Sequence, residues 1–335
     1  MKDKANFYIF ISIIAVLVLV IIISSLNIKE YSTNLFYMDT YINVKIYTNN
    51  KNKAERIFKG VEDLYDTYDK LTNKYVESEY GLYNLNHGAD TIDYRLYKII
   101  ESGYFWNKKS NGLLNIAIGN VTDIWKKYRE EGTGIPTKDE LKKVSIDMND
   151  VLINGTKSDI SDKKIKDSVI LSNGVTIDLG ALAKGYTTEL VGEYLKSNGI
   201  NEFIINAGGN VLVGNHHGLG KYKIGIQNPE GEGIFKTIKA ENMAVVTSGS
   251  YQRNYTYEGK VYHHIIDPNT LFPADNMLSV TVISKSSADA DALSTILFLM
   301  DVDKGMEYIK DYDAEAIWYL NDGSIKTTPG ISSYE

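Results

Sequence analysis

Two spacings of hydrophobic residues recur along the chain, one typical of strands and one typical of helices. The segment Thr40–Thr48 alternates between aliphatic and other residues, which predicts a β-strand with one buried face. Residues 54–71 and 96–105 place apolar side chains three and four positions apart, which predicts two helices, the second stopping near Gly112. The first half of the chain should therefore combine strand and helix.

The second half of the chain carries more of these signals. Residues 182–195 predict a helix closed by Gly199, and residues 286–300 predict another with Ser286 or Ser287 as its N-cap. Short strands are predicted at residues 174–178, 203–205, 211–213, 222–226, 244–247, 261–266 and 278–283. Because helices and strands mix without strict alternation, the fold class should be α+β.

An apolar segment precedes this domain. Residues 9–23 are almost continuously apolar, and two lysines stand among the first four residues. With Phe7 and Tyr8 before it and residues 24–26 after it, the run is about long enough to cross a bilayer as a helix, and the lysines favour a cytoplasmic N-terminus. We therefore expect residues 1–30 to be a single-pass membrane anchor and residues 31–335 to form one domain on the extracytoplasmic side of the cell membrane. The alternative is a cleaved signal peptide, for which Ser24-Ser25 is a poor cleavage site.

Composition and charge exclude several kinds of site. The 335 residues include 36 Lys and Arg against 43 Asp and Glu, which gives a formal net charge of −7. Such a chain offers no basic surface, so we expect no nucleic-acid partner. The sequence has no cysteine, which excludes disulfides, thiolate metal sites and thiol nucleophiles. A metal ion would have to be held by oxygen or imidazole.

Asp291 and Thr295 are the first candidates for such oxygen ligands. They stand four positions apart near the start of the last predicted helix, so a carboxylate and a hydroxyl share one helix face. Hard cations such as Mg²⁺ take oxygen ligands, and a helix N-terminus favours anions, so the pair suits a metal-bridged phosphate. The alternative is an acidic first turn that complements the helix dipole, with Thr295 bonding its own backbone.

Two glycine-containing turns are candidate phosphate sites. Residues 206–210 read Asn-Ala-Gly-Gly-Asn between two predicted strands, and paired glycines let backbone N–H groups approach a ligand, although they equally make a tight turn. Asp178 and Lys184 flank a predicted strand-to-helix junction, where the Gly-x4-Gly-Lys-Ser/Thr spacing of a P-loop is absent.

A histidine pair closes another predicted strand. Adjacent strand residues face opposite ways, so at most one of His263 and His264 faces any single site. A histidine beside a carboxylate, here Asp267, can act as a general base near neutral pH. The alternative is a structural histidine that bonds its neighbours.

These stretches, in this order and at this spacing, resemble the ApbE family, the FAD:protein FMN transferases. The resemblance covers residues 38 to about 300. It rests on Met-Asp-Thr at 38–40, Tyr75 and the following residues to Asn86, Asp-Leu-Gly-Ala-Leu-Ala-Lys-Gly-Tyr at 178–186, the segment 206–210, Thr-Ser-Gly-Ser-Tyr at 247–251, His-Ile-Ile-Asp-Pro at 264–268 and Ala-Asp-Ala-Leu-Ser-Thr at 290–295.

The resemblance implies a mixed fold with the flavin site in a cleft, and a transfer reaction at phosphorus. The family splits FAD and attaches the FMN half through a phosphoester to a Thr or Ser of another protein, with release of AMP. Mg²⁺ is the implied cofactor, FAD the substrate, and an exported redox protein with a Thr/Ser acceptor motif the expected partner. Two alternative functions would use the same site. The protein could be an FAD pyrophosphatase that yields FMN and AMP, or a non-catalytic flavin-binding protein.

The resemblance also implies roles for individual residues. Asp291 and Thr295 match metal ligands, with backbone oxygens of Ala181 and Ser294 as companions. The positions implied in flavin or phosphate contact are Met38, Tyr75, Asp178, Lys184, Gly208, Gly209 and Ile265. His264 is the implied base for the acceptor hydroxyl, oriented by Asp267. The chain departs from the family at Asp39 and Leu271, which stand where the family has glycine.

Overall fold

The computed structural model describes residues 28–154 and 164–335, together with residues 10, 11, 13, 14 and 16. Within these residues an eight-stranded sheet forms the centre of the domain, and each neighbouring pair of strands is antiparallel. In spatial order its strands are β1 (Lys29–Tyr37), β2 (Thr40–Thr48), β7 (Phe203–Ala207), β8 (Asn210–Val213), β11 (Met243–Gly249), β14 (Met277–Ser284), β15 (Ala314–Leu320) and β16 (Ile325–Thr327).

Smaller strand pairs and the helices surround this sheet. The other strands are β3 (Thr91–Asp93), β4 (Val151–Ile153), β5 (Lys164–Lys166), β6 (Val169–Leu171), β9 (Tyr222–Gln227), β10 (Ile234–Ala240), β12 (Asn254–Tyr257) and β13 (Lys260–His263). The helices are α1 (Lys51–Thr72), α2 (Leu82–Asn86), α3 (Tyr94–Lys109), α4 (Gly119–Glu131), α5 (Lys138–Leu141), α6 (Ala183–Ser197), α7 (Ser287–Leu299) and α8 (Val302–Tyr308), with 3₁₀ turns at Met148–Asp150, Ile309–Asp311 and Pro329–Tyr334.

Alternate residues of the central strands face two different cores. Val246 and Val280 pack in the main core with α1, α6 and α7. Val245 and Ile283 point the other way and pack against the β9–β10 hairpin. Since side chains alternate along a strand, burial of both faces explains why these strands are apolar almost throughout.

A third apolar cluster joins α4 to the β12–β13 hairpin and the loop that follows it. Val121 and Trp125 of α4 pack with Ile266, Leu271 and Phe272. The indole Nε1 of Trp125 donates to the backbone oxygen of Leu271 at 2.8 Å. This cluster holds the segment that contains His264 against α4.

Most of the predicted elements are present. Strand 40–48 and both predicted helices of the first half are confirmed, and so is the α7 helix with Ser286 as its N-cap. The predicted strand at 174–178 is wrong, because Thr176 makes only an isolated bridge with Ile118. The strand predicted at 261–266 ends at His263, after which the chain turns away from its partner.

The predicted membrane anchor lies mostly outside the described residues. Within the part of the chain that the structure describes, no helix is both long enough and apolar enough to cross a membrane. The anchor therefore stays a prediction from the sequence.

Candidate functional site

Asp291 lies at the contact between helices α6 and α7. Asp291 is 5% exposed. Its carboxylate accepts hydrogen bonds from Lys184 Nζ at 2.9 Å and from the backbone N–H of Gly185 at 2.7 Å. The helices come this close because residue 185 is glycine: a Cβ there would lie 2.4 Å from the Cβ of Asp291 and 2.6 Å from the backbone oxygen of Ser287. The carboxylate is thus fixed by both the side chain and the backbone at the start of α6.

Hydroxyl groups extend the oxygen-rich surface of α7 beyond Asp291. Ser294 Oγ donates to the backbone oxygen of Asp291 at 2.9 Å and lies 2.8 Å from Ser248 Oγ on β11. Thr295 Oγ1 donates to the same backbone oxygen at 3.3 Å, the contact expected of a threonine that bonds its own helix. Ala181 lies two residues before α6, in the turn that leads to Lys184.

This donor set suits a hard cation. It contains one buried carboxylate and neighbouring hydroxyl oxygens, which are the ligand types that Mg²⁺ takes. The Lys184 ammonium pairs with Asp291 at 2.9 Å, so a metal ion that binds this oxygen would have to displace it. Among the described residues no group of three or more His, Cys, Asp or Glu side chains could hold a metal ion. A cation here would therefore use Asp291 and neutral oxygens.

Asp178 lies in a second charged cluster, in the turn before α6. Its carboxylate accepts from Thr122 Oγ1 at 2.7 Å and from the backbone N–H of Gly180 at 2.8 Å, and it lies 3.1 Å from Lys74 Nζ. Burial alone would raise the pKa of this carboxyl, but the charge of Lys74 and these hydrogen bonds hold it at about 2. Asp178 is consequently ionised throughout the neutral range.

Tyr75 follows Lys74 directly and presents its ring beside this cluster. The residue is 48% exposed. The ammonium of Lys126 on α4 lies 3.6 Å from the ring centroid, a cation–π contact. Burial of the hydroxyl, together with the charges of Asp123 and Asp178, raises the pKa of Tyr75, so its hydroxyl stays protonated.

Met38 lies in the turn between β1 and β2. Met38 and Asp39 both have positive φ angles, 53° and 58°. The Met38 N–H donates to Asp69 Oδ1 at 2.9 Å, and Arg253 Nη2 donates to the backbone oxygens of Met38 and Asp39 at 3.1 Å each. The turn is therefore fixed from two sides, by α1 and by the segment after β11.

The glycine pair forms the neighbouring turn, between β7 and β8. Gly208 and Gly209 have φ angles of 55° and 89°, which disfavour any side chain. A Cβ at Gly208 would also lie 2.0 Å from Thr40 Oγ1, because this turn touches the start of β2. Chain geometry accounts for both glycines, and their contact with a ligand stays a prediction.

The histidine pair divides as the strand geometry predicts. His263 is buried, and its Nε2 lies 2.5 Å from the backbone oxygen of Ala274, which gives this ring a structural role. His264 faces the other way, and its buried Nδ1 has no hydrogen-bond partner within the described ranges. Burial lowers the pKa of His264 to about 3, helped by the positive charges of Arg253 and Arg129.

Asp267 and Ile265 are not in hydrogen-bond contact with the His264 ring in this arrangement. The Asp267 carboxylate accepts from the backbone N–H of Asn269 at 2.8 Å and from its Nδ2 at 3.0 Å, so it closes its own turn. Ile265 is buried in the main core. The orienting role of Asp267 stays a prediction from the family resemblance, and the structure supplies no contact for it.

The predicted residues thus form four groups, around Asp291, Asp178, the Met38 turn and His264, and two residues that the sequence reasoning missed make contacts within and between some of them. Lys74 joins Tyr75 to Asp178, and Arg253 joins the Met38 turn to the surroundings of His264. The sequence offered one signal for Lys74, its position directly before the predicted site residue Tyr75. Arg253 follows the 247–251 motif by two residues, a weaker signal.

Comparison with known proteins places this chain in one family. The ApbE family profile matches residues 38–318. A FAD:protein FMN transferase of Klebsiella pneumoniae is 29% identical over 305 residues, which cover 89% of this chain and 91% of that protein. The FAD:protein FMN transferase of Treponema pallidum is 26% identical over 326 residues, which cover 91% of this chain and 88% of the relative.

Solved structures agree with this assignment at the level of the fold. The ApbE protein of Thermotoga maritima superposes with a TM-score of 0.82 at 25% identity, covering 92% of this chain and 99% of that structure. The flavin transferase ApbE of Vibrio cholerae gives a TM-score of 0.76 at 21% identity, covering 92% and 100%. With the match extending across the sheet, the paired helices and the site they position, the chain belongs to the ApbE family.

Proposed function

We propose that this protein is a FAD:protein FMN transferase that uses Mg²⁺ and acts on a separate acceptor protein. Family membership and the names of its relatives support the reaction class. The observation that carries the proposal for this chain is the Asp291 carboxylate. It is buried between the starts of two helices and is paired with the ammonium of Lys184.

The reaction exchanges one oxygen on phosphorus for another. The hydroxyl oxygen of an acceptor Thr or Ser attacks the phosphorus on the FMN side of the FAD diphosphate. A P–O bond to that phosphorus forms, the bond to the bridging oxygen breaks, and AMP leaves with the electron pair. The acceptor loses its hydroxyl proton in the process, so the site needs a proton acceptor and positive charge near the phosphoryl oxygens.

His264 suits the role of proton acceptor. Its lowered pKa keeps the ring neutral at physiological pH, and Nδ1 is free of hydrogen bonds within the described residues. A neutral ring with such a low pKa is a weak base on its own. The positive charges of Arg253 and Arg129 contribute to that low value, and a bound diphosphate, which is anionic, would offset them and raise the pKa of His264.

The metal would be held at the start of α7. Asp291, Thr295 and the backbone oxygens of Ala181 and Ser294 are the ligands that we assign, and the contact of Thr295 Oγ1 with the backbone oxygen of Asp291 supports the placing of these two residues together. When bound, Mg²⁺ neutralises charge on phosphoryl oxygens. Lys184 lies beside the same carboxylate, where its ammonium is positioned to contact a phosphate.

Localisation is a further part of the proposal. The apolar run at residues 9–23 supports a membrane anchor, with the enzyme domain on the extracytoplasmic side. The acceptor would then be an exported protein that presents a Thr or Ser hydroxyl. Fractionation of cells, followed by protease treatment of intact spheroplasts, tests this arrangement directly.

The activity is tested by incubating the full-length chain with FAD, Mg²⁺ and a candidate acceptor domain. The measurements are in-gel flavin fluorescence of the acceptor and AMP and FMN in solution. A metal-dependent fluorescent acceptor with AMP release is expected. Free FMN and AMP without labelled acceptor would support the pyrophosphatase instead, and bound, intact FAD would support a binding protein.

Asp291→Asn is the variant that tests the metal assignment, with Asp289→Asn as its matched control. Both substitutions remove one carboxylate charge from the first two turns of α7, but Asp289 is exposed, whereas Asp291 is buried and pairs with Lys184. We expect D291N to lose Mg²⁺-dependent transfer and D289N to keep it. Equal activity in both variants would contradict the assignment.

A further inference from the structure

Lys74 is a buried lysine that the proposed reaction does not use. It lies in the loop between α1 and α2, and its side chain is 6% exposed. Its ammonium is surrounded by oxygen atoms: Gly119 O at 2.8 Å, Thr122 Oγ1 at 2.7 Å, Asp123 Oδ1 at 2.8 Å and Asp178 Oδ2 at 3.1 Å. An ammonium has three N–H donors, so these contacts leave none for a substrate.

The contacts of Lys74 connect three segments, two of which carry predicted flavin-site residues. Its own loop carries Tyr75, the first turn of α4 supplies Gly119 and Thr122, and the turn before α6 supplies Asp178. Thr122 also donates to the Asp178 carboxylate, so Lys74, Thr122 and Asp178 form a closed triangle of polar contacts. Moving the ammonium would remove its contacts with both other segments and would leave Thr122 and Asp178 joined only to each other within this triangle.

We infer that Lys74 is a positioning residue of the flavin site, which holds the Asp178 side chain in place so that FAD can bind. The inference rests on the proposed function, because it takes Asp178 to be an FAD contact. The low exposure of Lys74 excludes a direct role on the diphosphate, so its effect must pass through Asp178 and the start of α4.

Electrostatics support the same coupling. The charge of Lys74 is the largest influence that lowers the pKa of Asp178 against the effect of burial. Tyr75 is within electrostatic reach of this carboxylate, and Asp123 shares the Lys74 ammonium with it. Without Lys74 the pKa of the Asp178 carboxyl would be higher. Once protonated, the carboxyl is neutral and resembles the side-chain amide of asparagine.

A double-mutant cycle tests the inference on the full-length chain. The variants are Lys74→Met, Asp178→Asn and the double variant, and the readout is the FAD dissociation constant, measured from flavin fluorescence between pH 5 and pH 8. Lys70→Met is the matched control, since Lys70 precedes Lys74 by four residues and pairs with Asp66 but is 61% exposed. Thermal unfolding of each variant reports whether the fold is kept.

We expect K74M to weaken FAD binding by about tenfold, within the range seen for residues of one charge network. The loss should grow as the pH falls, because a protonated Asp178 mimics D178N. In the D178N background the same lysine substitution should change the dissociation constant less than about threefold. K70M should bind FAD as the wild type does. A purely structural lysine would lower the melting temperature without this pH dependence.

If K74M does not fold, FAD binding can still be measured with the double variant. K74M leaves Asp178 buried without a counter-charge, whereas the double variant removes that charge and leaves Asp123, which is 44% exposed. A further tenfold loss from D178N to the double variant would overturn the inference, as would unchanged FAD binding in K74M. Wild-type protein that does not bind FAD would overturn both the inference and the proposed function. Wild-type protein that binds FAD without transferring FMN contradicts the proposed function alone.

Discussion

Replacing Gly185 with alanine tests whether the close contact of α6 and α7 sets the geometry of the proposed metal site. The added Cβ would lie 2.4 Å from the Cβ of Asp291, which is 1.0 Å short of the 3.4 Å at which ordinary contact begins. The backbone oxygen of Ser287 lies at 2.6 Å and belongs to a helix that packs across the core. Neither atom is the end of a flexible side chain, so the helices themselves must separate by about 1 Å.

The expected stability change combines two opposing effects. Alanine is the better helix former by about 1 kcal/mol. Overpacking of a tight core contact costs about 1–3 kcal/mol. We therefore expect a net destabilisation of up to about 2 kcal/mol, or a fall in melting temperature of at most a few degrees in a domain of this size. A 1 Å displacement of Asp291 should also lower transfer activity about a hundredfold.

Gly192→Ala provides the matched control on the same helix. A Cβ at Gly192 would meet Leu212 Cδ2 at 2.6 Å, and this methyl group is the end of a side chain that can turn away. Calorimetry and a Mg²⁺ titration of FMN transfer measure both variants. G192A should stay within about 1 kcal/mol of the wild type and keep its activity. If G185A is as stable and active as G192A, the helix contact does not set the site.

Two further predictions concern His264 and Asp39. His264 has a pKa near 6.5 when unfolded and about 3 when folded, so its contribution to stability is complete above pH 6.5 and is lost as the pH falls towards 3. Between pH 7.5 and pH 5 the wild type should lose about 2 kcal/mol of unfolding free energy through this residue, and urea titrations of His264→Gln should lack that loss. Asp39→Gly should raise the unfolding free energy by up to about 1 kcal/mol, since Asp39 has a φ of 58° and an 83% exposed side chain. A melting temperature below that of the wild type would contradict this second prediction.

Periodicity predicted the elements that have one buried face. Strand β2 and helix α1 bury one side against the core, so their apolar residues recur at the period of the element. Strand β1 was missed because it lies at the edge of the sheet and its exposed face carries aromatic residues, such as Phe36, beside polar ones. The segment 174–178 reads as apolar and extended, but it pairs at Thr176 alone. Burial and pairing are separate properties, and the pattern reports only burial.

Backbone conformation explains the two positions at which this chain departs from the family pattern. Asp39 and Leu271, which stand where the family has glycine, have φ angles of 58° and 64°. The family glycine is therefore explained by the left-handed backbone that these turns need. In this chain tertiary contacts hold the same backbone: Arg253 binds the turn at Asp39, and Trp125 donates to Leu271. The sequence alone shows that glycine is replaced at these positions, but it does not show the tertiary contacts that stabilise the left-handed backbone there.

Lys74 and Lys184 show what sequence position can and cannot say about a site. Each lysine lies within about 3 Å of a carboxylate on another segment, and in Lys184 the pair spans 107 residues of sequence. Such pairs depend on the tertiary fold, so spacing along the chain could not match Lys74 with Asp178. Exposure then separates their roles. Lys184 is 23% exposed, which suits the phosphate contact that we propose for it, whereas Lys74 is enclosed by four oxygen atoms. In this proposal Lys184 acts on the substrate, and Lys74 positions the residues around it.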